Sequence, residues 1–313
     1  MNTGKAMAIE IAIVGEINLD LILYGLSKEM EVERELLASD FRVTLGSSSA
    51  ILAHNLAALG TNVGFITRTG PDSLGKIALG YLEDYGVDLS RVVQSTSGTS
   101  TGITLILPHG RERHILTYPG TMFELNYDDL DLNYLKMAQH FHMSSLYLHR
   151  SLLPDVARLF REIKESGRTT SLDSNDDPDD RWDFLDEILP WVDVLFPNRQ
   201  EACRIAGTEN LEEAVEQLSR RVKTLVVKLG PDGALLRSGS KRVSVIGKKV
   251  NPVDTVGAGD SFNAGFLHQF IRGKTLEECL EFANLTGAYS TTASGGVEAF
   301  RDKARTVDFL SHA

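Results

Sequence analysis

Short β-rich runs alternate with helical patterns along most of this 313-residue chain. AIEIAIVG (8–15) reads as a buried strand, and SSAILAHNLAALG (48–60) as a helix closed by glycine. NVGFITR (62–68) and SLGKIALGYLEDYG (73–86) repeat the pair. Further strand-like runs are HFHMSSL (140–146), TTSLDSN (169–175), VDVLFPN (192–198) and TLVVKLG (224–230), with a helical SLLPDVARLFREIKESG (151–167) among them. The stretch from about 258 to 293 reads as mostly helical. Strands separated by helices cannot pair through tight turns, so the pattern predicts a parallel sheet with helices on both faces. Two segments break the rhythm: LDLILYGL (19–26) with DFRVTLG (40–46), and TSTGITLILPHGRERHILTYPG (99–120), whose apolar arms flank the turn PHGRE. They read as a small separate sheet, either two extra edge hairpins or a lid over a cleft.

Bulk properties narrow the class. The chain is long enough for one large domain or two smaller ones, and 42% hydrophobic with 24% charged residues is an ordinary globular balance. A net charge of −11 argues against a general nucleic-acid or anionic-membrane surface, while leaving room for a local basic pocket. The two cysteines, Cys203 and Cys279, have neither metal-ligand nor redox spacing, and the cytoplasm is the expected location. No apolar run reaches membrane length, and MNTGKAMA lacks the apolar core of a signal peptide and reads as a disordered lead-in.

The chemistry concentrates in DTVGAGDSFNAGF, Asp254 to Phe266. Glycines let a backbone approach a ligand closely, and a helix starting there aims unpaired N–H groups and a positive dipole end at it. That suits phosphate. A carboxylate at the same place, Asp260, would repel phosphate and needs its own reason, such as taking a proton from a hydroxyl. The plainer alternative is an acid capping a glycine-rich helix start. No G-x-x-x-x-G-K-[ST] occurs, and Phe262 stands where a dinucleotide fingerprint needs glycine, so neither a P-loop nor a Rossmann dehydrogenase fits.

DTVGAGDSFNAGFL (254–267) closely resembles the C-terminal signature of the ribokinase-like, or PfkB, carbohydrate kinases. The resemblance implies a three-layer α/β sandwich over 1–313 as one domain, with a mostly parallel central sheet and lid segments at about 18–45 and 95–120. It implies ATP and Mg²⁺ as cofactors, a small sugar as acceptor, and neither nucleic acid nor membrane as partner. Gly257, Ala258 and Gly259 would form an anion hole for the transferring phosphate, and Asp260 would be the general base. In GEINLD (15–20), Asn18 and Asp20 would hold sugar hydroxyls; an Asp at a strand end could equally cap a turn. RTGPDSLG (68–75) resembles a structural turn of the family. SLDSNDDPDDRW (171–182) resembles a stretch whose Asp173 and Asn175 would line the phosphate side, with the expected arginine displaced to Arg181. FPNRQEA (196–202) supplies Asn198 and Glu201, which would organise Mg²⁺ mainly through water; a capped helix start explains the same spacing. In KLGPDGALL (228–236), Lys228 would meet phosphate, or be an exposed strand-end charge, and Gly230 and Gly233 would allow close approach. Asn284 would contact base or ribose, and Asp254 would hold a monovalent cation, K⁺, as in several relatives.

The departure lies in the first helix. Family members commonly begin it with GG-x-x-x-N, where this chain has Gly46, then Ser47, and Ile51 at the asparagine position. Asn55, one turn later, cannot simply replace it. Either a polar acceptor contact has become an apolar one, or the serines 47 to 49 carry the hydroxyl contacts instead, with Gly46, Ser47 and Ser48 as the candidate acceptor residues, and ribose specificity does not transfer. His109, Arg111, Arg113 and His114 near the hairpin turn would meet an anionic acceptor group or solvent. Two other readings stay open: a nucleoside kinase of the same fold, with Phe41 and Tyr118 as a stacking pair, and a non-catalytic sugar or nucleotide sensor. The family also implies a homodimer through the lid.

Overall fold

A computed structural model describes residues 8–109 and 112–311. Seven of the eight residues read as a lead-in, and Gly110 and Arg111 in the hairpin turn, lie outside the described residues. In chain order the first half contains β1 (Ile11–Val14), β2 (Asn18–Tyr24), β3 (Asp40–Gly46), α1 (Ser48–Ala58), β4 (Val63–Ile66), β5 (Arg68–Thr69), α2 (Ser73–Glu83), β6 (Val93–Gln94), β7 (Gly102–His109), β8 (Glu112–Tyr118), α3 (Leu132–Met137) and β9 (His140–Ser144). The second half contains α4 (Val156–Glu165), β10 (Thr169–Asp173), α5 (Leu185–Ile188), β11 (Val194–Leu195), α6 (Arg199–Ala206), α7 (Leu211–Leu218), β12 (Thr224–Lys228), β13 (Ala234–Ser238), β14 (Lys241–Val245), α8 (Ala258–Phe270), α9 (Leu276–Ser290), α10 (Glu298–Arg301) and α11 (Lys303–Ser311).

Eight strands form the main sheet in the order β14-β13-β12-β11-β10-β9-β1-β4. The six strands from β12 to β4 are parallel, and β13 and β14 add an antiparallel edge that periodicity did not reveal. Side chains alternate across a strand, so each face gathers its own core. Ala12 and Val14 join Phe141, Leu172 and α4 on one face; Ile11 and Ile13 join Phe65, Phe196 and helices α1, α8 and α9 on the other. The second face carries a polar row: Thr169, His140, Ser171, His142 and Ser144 are linked in that order by hydrogen bonds of 2.7–2.8 Å. Burial holds both histidines neutral, down to about 3. The strand expected over 192–198 is regular only over Val194–Leu195; Phe196 N still donates to Leu172 O at 3.0 Å and Lys228 N to Pro197 O at 2.9 Å, but Pro197 has no N–H to extend the ladder.

The small sheet has the order β3-β2-β7-β8, with β2 parallel to β7. Its registers pair Asp20 with Thr44 and Thr104, and Thr104 with Thr117, so these share one face. That face turns to the body: Thr44 Oγ1 donates to Glu298 Oε1 at 3.0 Å, and Tyr24 and Ser294 share a hydroxyl contact. Leu23, Phe41 and Tyr118 alternate onto the opposite face, where Phe41 is 66% and Tyr118 53% exposed.

Candidate active site

The loop before α8 is bent by Gly257 at φ +70° and packed so closely that a Cβ there would stand 2.5 Å from Gly296 Cα and 3.2 Å from Ile51. Ile51 thus serves as an apolar wall for the glycine loop. Asp254 ties the same loop down: its two carboxyl oxygens accept from Val256 N at 3.0 Å and Gly295 N at 2.9 Å. Ala258 N donates weakly to Thr255 O at 3.4 Å. Among the described residues, the amides of Gly257, Gly259 and Asp260 meet no acceptor, which leaves three donors at a helix N-terminus for an anion.

Asp260 follows these amides in the first turn of α8 and is 9% exposed. Ser48 Oγ donates to its Oδ1. Burial, with the charge of Asp173 adding to it against Ser48 and Lys228, pushes the carboxyl up to about 7. Facing it on β2, Asp20 is 5% exposed and no hydrogen bond among the described residues reaches its carboxyl. Burial, then the charges of Asp260 and Asp254, lift Asp20 to about 7 as well. Asn18 is committed on both sides: Nδ2 donates to Thr104 Oγ1 at 2.6 Å, and Oδ1 accepts from Ser47 Oγ at 2.9 Å. A Cβ on Gly46 would collide with the carboxyl of Asp20 and the amide of Asn18. Ser47 adopts φ +68°, which explains why glycine is the usual residue there.

On the other side of Asp260 lies a buried ionic cluster. Lys228 Nζ pairs with Asp173 Oδ2, and Asn263 Nδ2 donates to the same oxygen at 2.6 Å. The exposed strand-end alternative for Lys228 fails, because its side chain is only 12% exposed and Nζ reaches to 3.5 Å from where a Cβ on Gly259 would stand. Burial works against the ammonium, but Asp173, Glu201 and Asp260 outweigh it and hold its pKa above the ordinary value. Asn198 and Glu201 form a full capping box on α6: Glu201 N donates to Asn198 Oδ1 at 2.9 Å, and Asn198 N to Glu201 Oε2 at 2.7 Å. The box therefore exists, and it also fixes a carboxyl that burial and Asp173 push up to about 7. Gly230 at φ +61° and Gly233 at φ +101° turn the chain between β12 and β13. Asn284 donates through Nδ2 to Ile246 O at 2.8 Å and borders a cavity of about 460 Å³ with Lys248, Gln269 and Phe282.

Several expectations need correction. Asn175 lies in a left-handed turn (φ +52°) and its Oδ1 accepts from Ser145 N at 2.9 Å, a structural bond that the sequence did not suggest. Arg181 lies among Asp179 and Asp183 with a 66% exposed side chain. Phe41 and Tyr118 stand on the outer face, so they cannot stack over an acceptor beside Asp20; strand alternation decides this. The hairpin charges also divide. His109 and His114 pair with each other at 2.9 Å, while Arg113 Nη1 donates to Thr255 Oγ1 at 3.3 Å and bridges the two sheets' territories. Asn55 is buried and joins α1 to the loop through Ser261 Oγ at 2.9 Å and Gly296 O at 3.0 Å. Asp72 caps α2 and also accepts from Thr101 N at 2.7 Å, so RTGPDSLG is structural at least in these bonds. Asn263 and Glu16 were missed, since a helical Asn and a strand-end Glu carry no local signal.

A three-layer α/β body with a small β lid, holding paired carboxyls beside a glycine-lined helix start, defines the phosphotransferase class. The pattern of the pfkB family carbohydrate kinases matches residues 8–303, and the chain belongs to that family. An uncharacterized sugar kinase of Archaeoglobus fulgidus is 29% identical over 254 residues, covering 81% of this chain and 99% of the relative. The ATP-dependent ribose-1-phosphate kinase of Halopiger xanaduensis is 30% identical, covering 93% and 95%. The structure of Arabidopsis thaliana ribokinase complexed with ribose and ATP superposes with a TM-score of 0.83 at 27% identity, covering 98% and 100%. Among the described residues no helix is long and apolar enough to cross a membrane.

Proposed function

We propose that this carbohydrate kinase transfers the γ-phosphoryl group of ATP to a hydroxyl of a small sugar, with Asp260 as the general base. The observation that carries the reading is the juxtaposition of a buried Asp260, three unpaired amides beside it, and an unpartnered Asp20 facing it. Asp20, with Gly46 and the hydroxyls of Ser47 and Ser48 around it, holds the acceptor. Asp260 takes the proton as the acceptor oxygen attacks. The amides of Gly257, Gly259 and Asp260, with Ala258 shaping the turn, meet the charge that develops. Mg²⁺-ATP, when bound, supplies the phosphoryl group and the metal's charge. The residues fit it: Lys228 stands beside Gly259, Gly230 and Gly233 bend the chain at the end of the same strand, and Asn284 borders the cavity beyond. Among the described residues no three carboxylates, histidines or cysteines cluster to cage an ion. Asn198 and Glu201 are the residues that would hold the hydrated Mg²⁺ of the nucleotide, which would supply positive charge at the phosphates.

Asp254 has both oxygens on backbone amides, so a K⁺ ion there would rest mainly on carbonyls; exchange of K⁺ for Na⁺ at constant ionic strength reads this directly. The outer lid face exposes Phe41, Leu116 and Tyr118, and a second copy of the chain is the partner we assign to it. The nucleoside reading loses its aromatic pair. The decisive experiment measures ADP release from Mg-ATP over pentoses, hexoses, sugar acids, sugar phosphates and nucleosides, beside Asp260→Asn. Turnover that the variant loses by about 10²–10⁴-fold supports the base. Binding without turnover on every acceptor makes the chain a sensor and ends the proposal.

A further inference from the structure

Three consecutive serines open α1, and each holds a different polar partner. Ser47 Oγ donates to Asn18 Oδ1 at 2.9 Å, Ser48 Oγ to Asp260 Oδ1, and Ser49 Oγ to Glu16 Oε2 at 2.7 Å. Ser49 also offers its amide to Glu16 Oε1 at 3.3 Å. Glu16 is 2% and His149 0% exposed. His149 Nε2 lies 3.2 Å from Glu16 Oε2, near enough for an ion pair though not aligned as a hydrogen bond. A carboxylate so deeply buried is costly unless several donors face it. Burial pushes Glu16 upward, yet His149 and Ser49 together hold it below its ordinary value. A Cβ on Gly15 would collide with Ser49 Oγ, so this contact needs a bare backbone beside it. Nothing in the phosphoryl transfer described above uses Glu16, His149 or Ser49. Among the described residues Ser48 is the one hydrogen-bond partner of the Asp260 carboxyl, and it takes Oδ1 alone.

We propose that Ser48 is a positioning residue for the base: it pins Oδ1 of Asp260 so that Oδ2 is left for the acceptor hydroxyl, while the buried Ser49–Glu16–His149 cluster fixes the turn of α1 that presents Ser48. This rests on the reading of Asp260 as the base. A carboxylate with both oxygens free rotates about its terminal torsion, which is soft. One charge-assisted bond removes that freedom and favours the ionised form. The bond works against Asp173 at the end of β10, Glu16 after β1 and Asp20 on β2, which raise the proton affinity of Asp260, and alongside Lys228 on β12, which lowers it.

The test titrates the carboxyl itself. Protein labelled with ¹³C at the aspartate side-chain carboxyl is followed by NMR from pH 4 to 9 without nucleotide or acceptor, Asp260→Asn assigning the signal. Ser48→Ala is expected to move the Asp260 titration upward by about one pH unit, the size of one hydrogen bond to a charged group. Ser48→Thr keeps the hydroxyl and returns the midpoint to the wild-type value. Ser49→Ala moves it the same way by a smaller amount, because Ser48 is then less firmly held. An Asp260 midpoint unchanged in Ser48→Ala overturns the proposal, and one unchanged in Ser49→Ala overturns its anchoring half. In an active enzyme the acid limb of kcat/KM follows the NMR midpoint. A wild type that makes no ADP with any acceptor would sink the kinase reading, whereas the titration would still decide whether Ser48 holds Asp260.

Discussion

Replacing Lys228 by methionine tests the ionic cluster beneath the proposed phosphate site. Methionine keeps the length of the side chain and removes the charge. Asp173, with 0% exposure, would then hold a carboxylate supported by Asn263 Nδ2 at 2.6 Å and opposed by Glu201 and Asp260. Removing one partner of a buried pair costs about 3–5 kcal/mol, far more than the pair contributes over an apolar replacement. At roughly 2–3 °C per kcal/mol for a chain of this size, melting should fall by roughly 6–15 °C at pH 8. Differential scanning calorimetry of Lys228→Met, Asp173→Asn and the double variant measures it. The double variant should recover at least half of the loss, because the stranded charge is gone. The deficit of the single variant should shrink as pH falls below about 7, where Glu201 and Asp260 take up protons and cease to oppose the Asp173 charge. A single variant within about 2 °C of wild type at pH 8, or a double variant no better than the single, would refute the idea that Lys228 neutralises this cluster.

Two further outcomes follow from the same geometry. Asp20 is raised from 3.8 to about 7, so its contribution favours folding fully below its unfolded pKa and is lost as pH rises through about 7. Asp20→Asn should therefore stabilise the protein at pH 8, by up to about 4 kcal/mol, while weakening acceptor binding; unchanged melting at pH 8 would contradict an unpartnered carboxylate there. Gly257→Ala should lower turnover by at least about 10²-fold with ATP binding less affected, since a Cβ at φ +70° would stand 2.5 Å from Gly296 Cα and move the amides; wild-type kcat would remove the loop from the chemistry.

Much of the architecture was readable because it depends on local pattern. The spacing of apolar residues located β1, α1, β4, α2, β9, α4, β10 and β12 to within a few residues, and the glycine loop before α8 carried its own backbone geometry. Gly46 and Ser47 were picked out by resemblance to the family's helix start, whereas their neighbours Asn18 and Asp20 come from a strand more than twenty residues earlier and are brought there by pairing. The antiparallel edge β13–β14 escaped notice, since its two strands alternate too weakly to stand out beside the turn preceding them. Long-range pairing was not readable at all. That Lys228 meets Asp173 and Asn263, or that Ser49 meets Glu16 beside His149, depends on strands and helices brought together from positions far apart in the chain. The small sheet shows the same division. Its strands were legible, but which side chains face Asp260 was decided by register: successive residues point to opposite faces, so the pairing that turns Asp20, Thr44 and Thr117 inward sends Phe41 and Tyr118 outward. By itself, then, the sequence determined the order of elements and the chemistry available at the loop. Only the tertiary structure decided which charges share a buried, poorly solvated space, and it is that sharing which holds Asp20, Glu201 and Asp260 near neutrality.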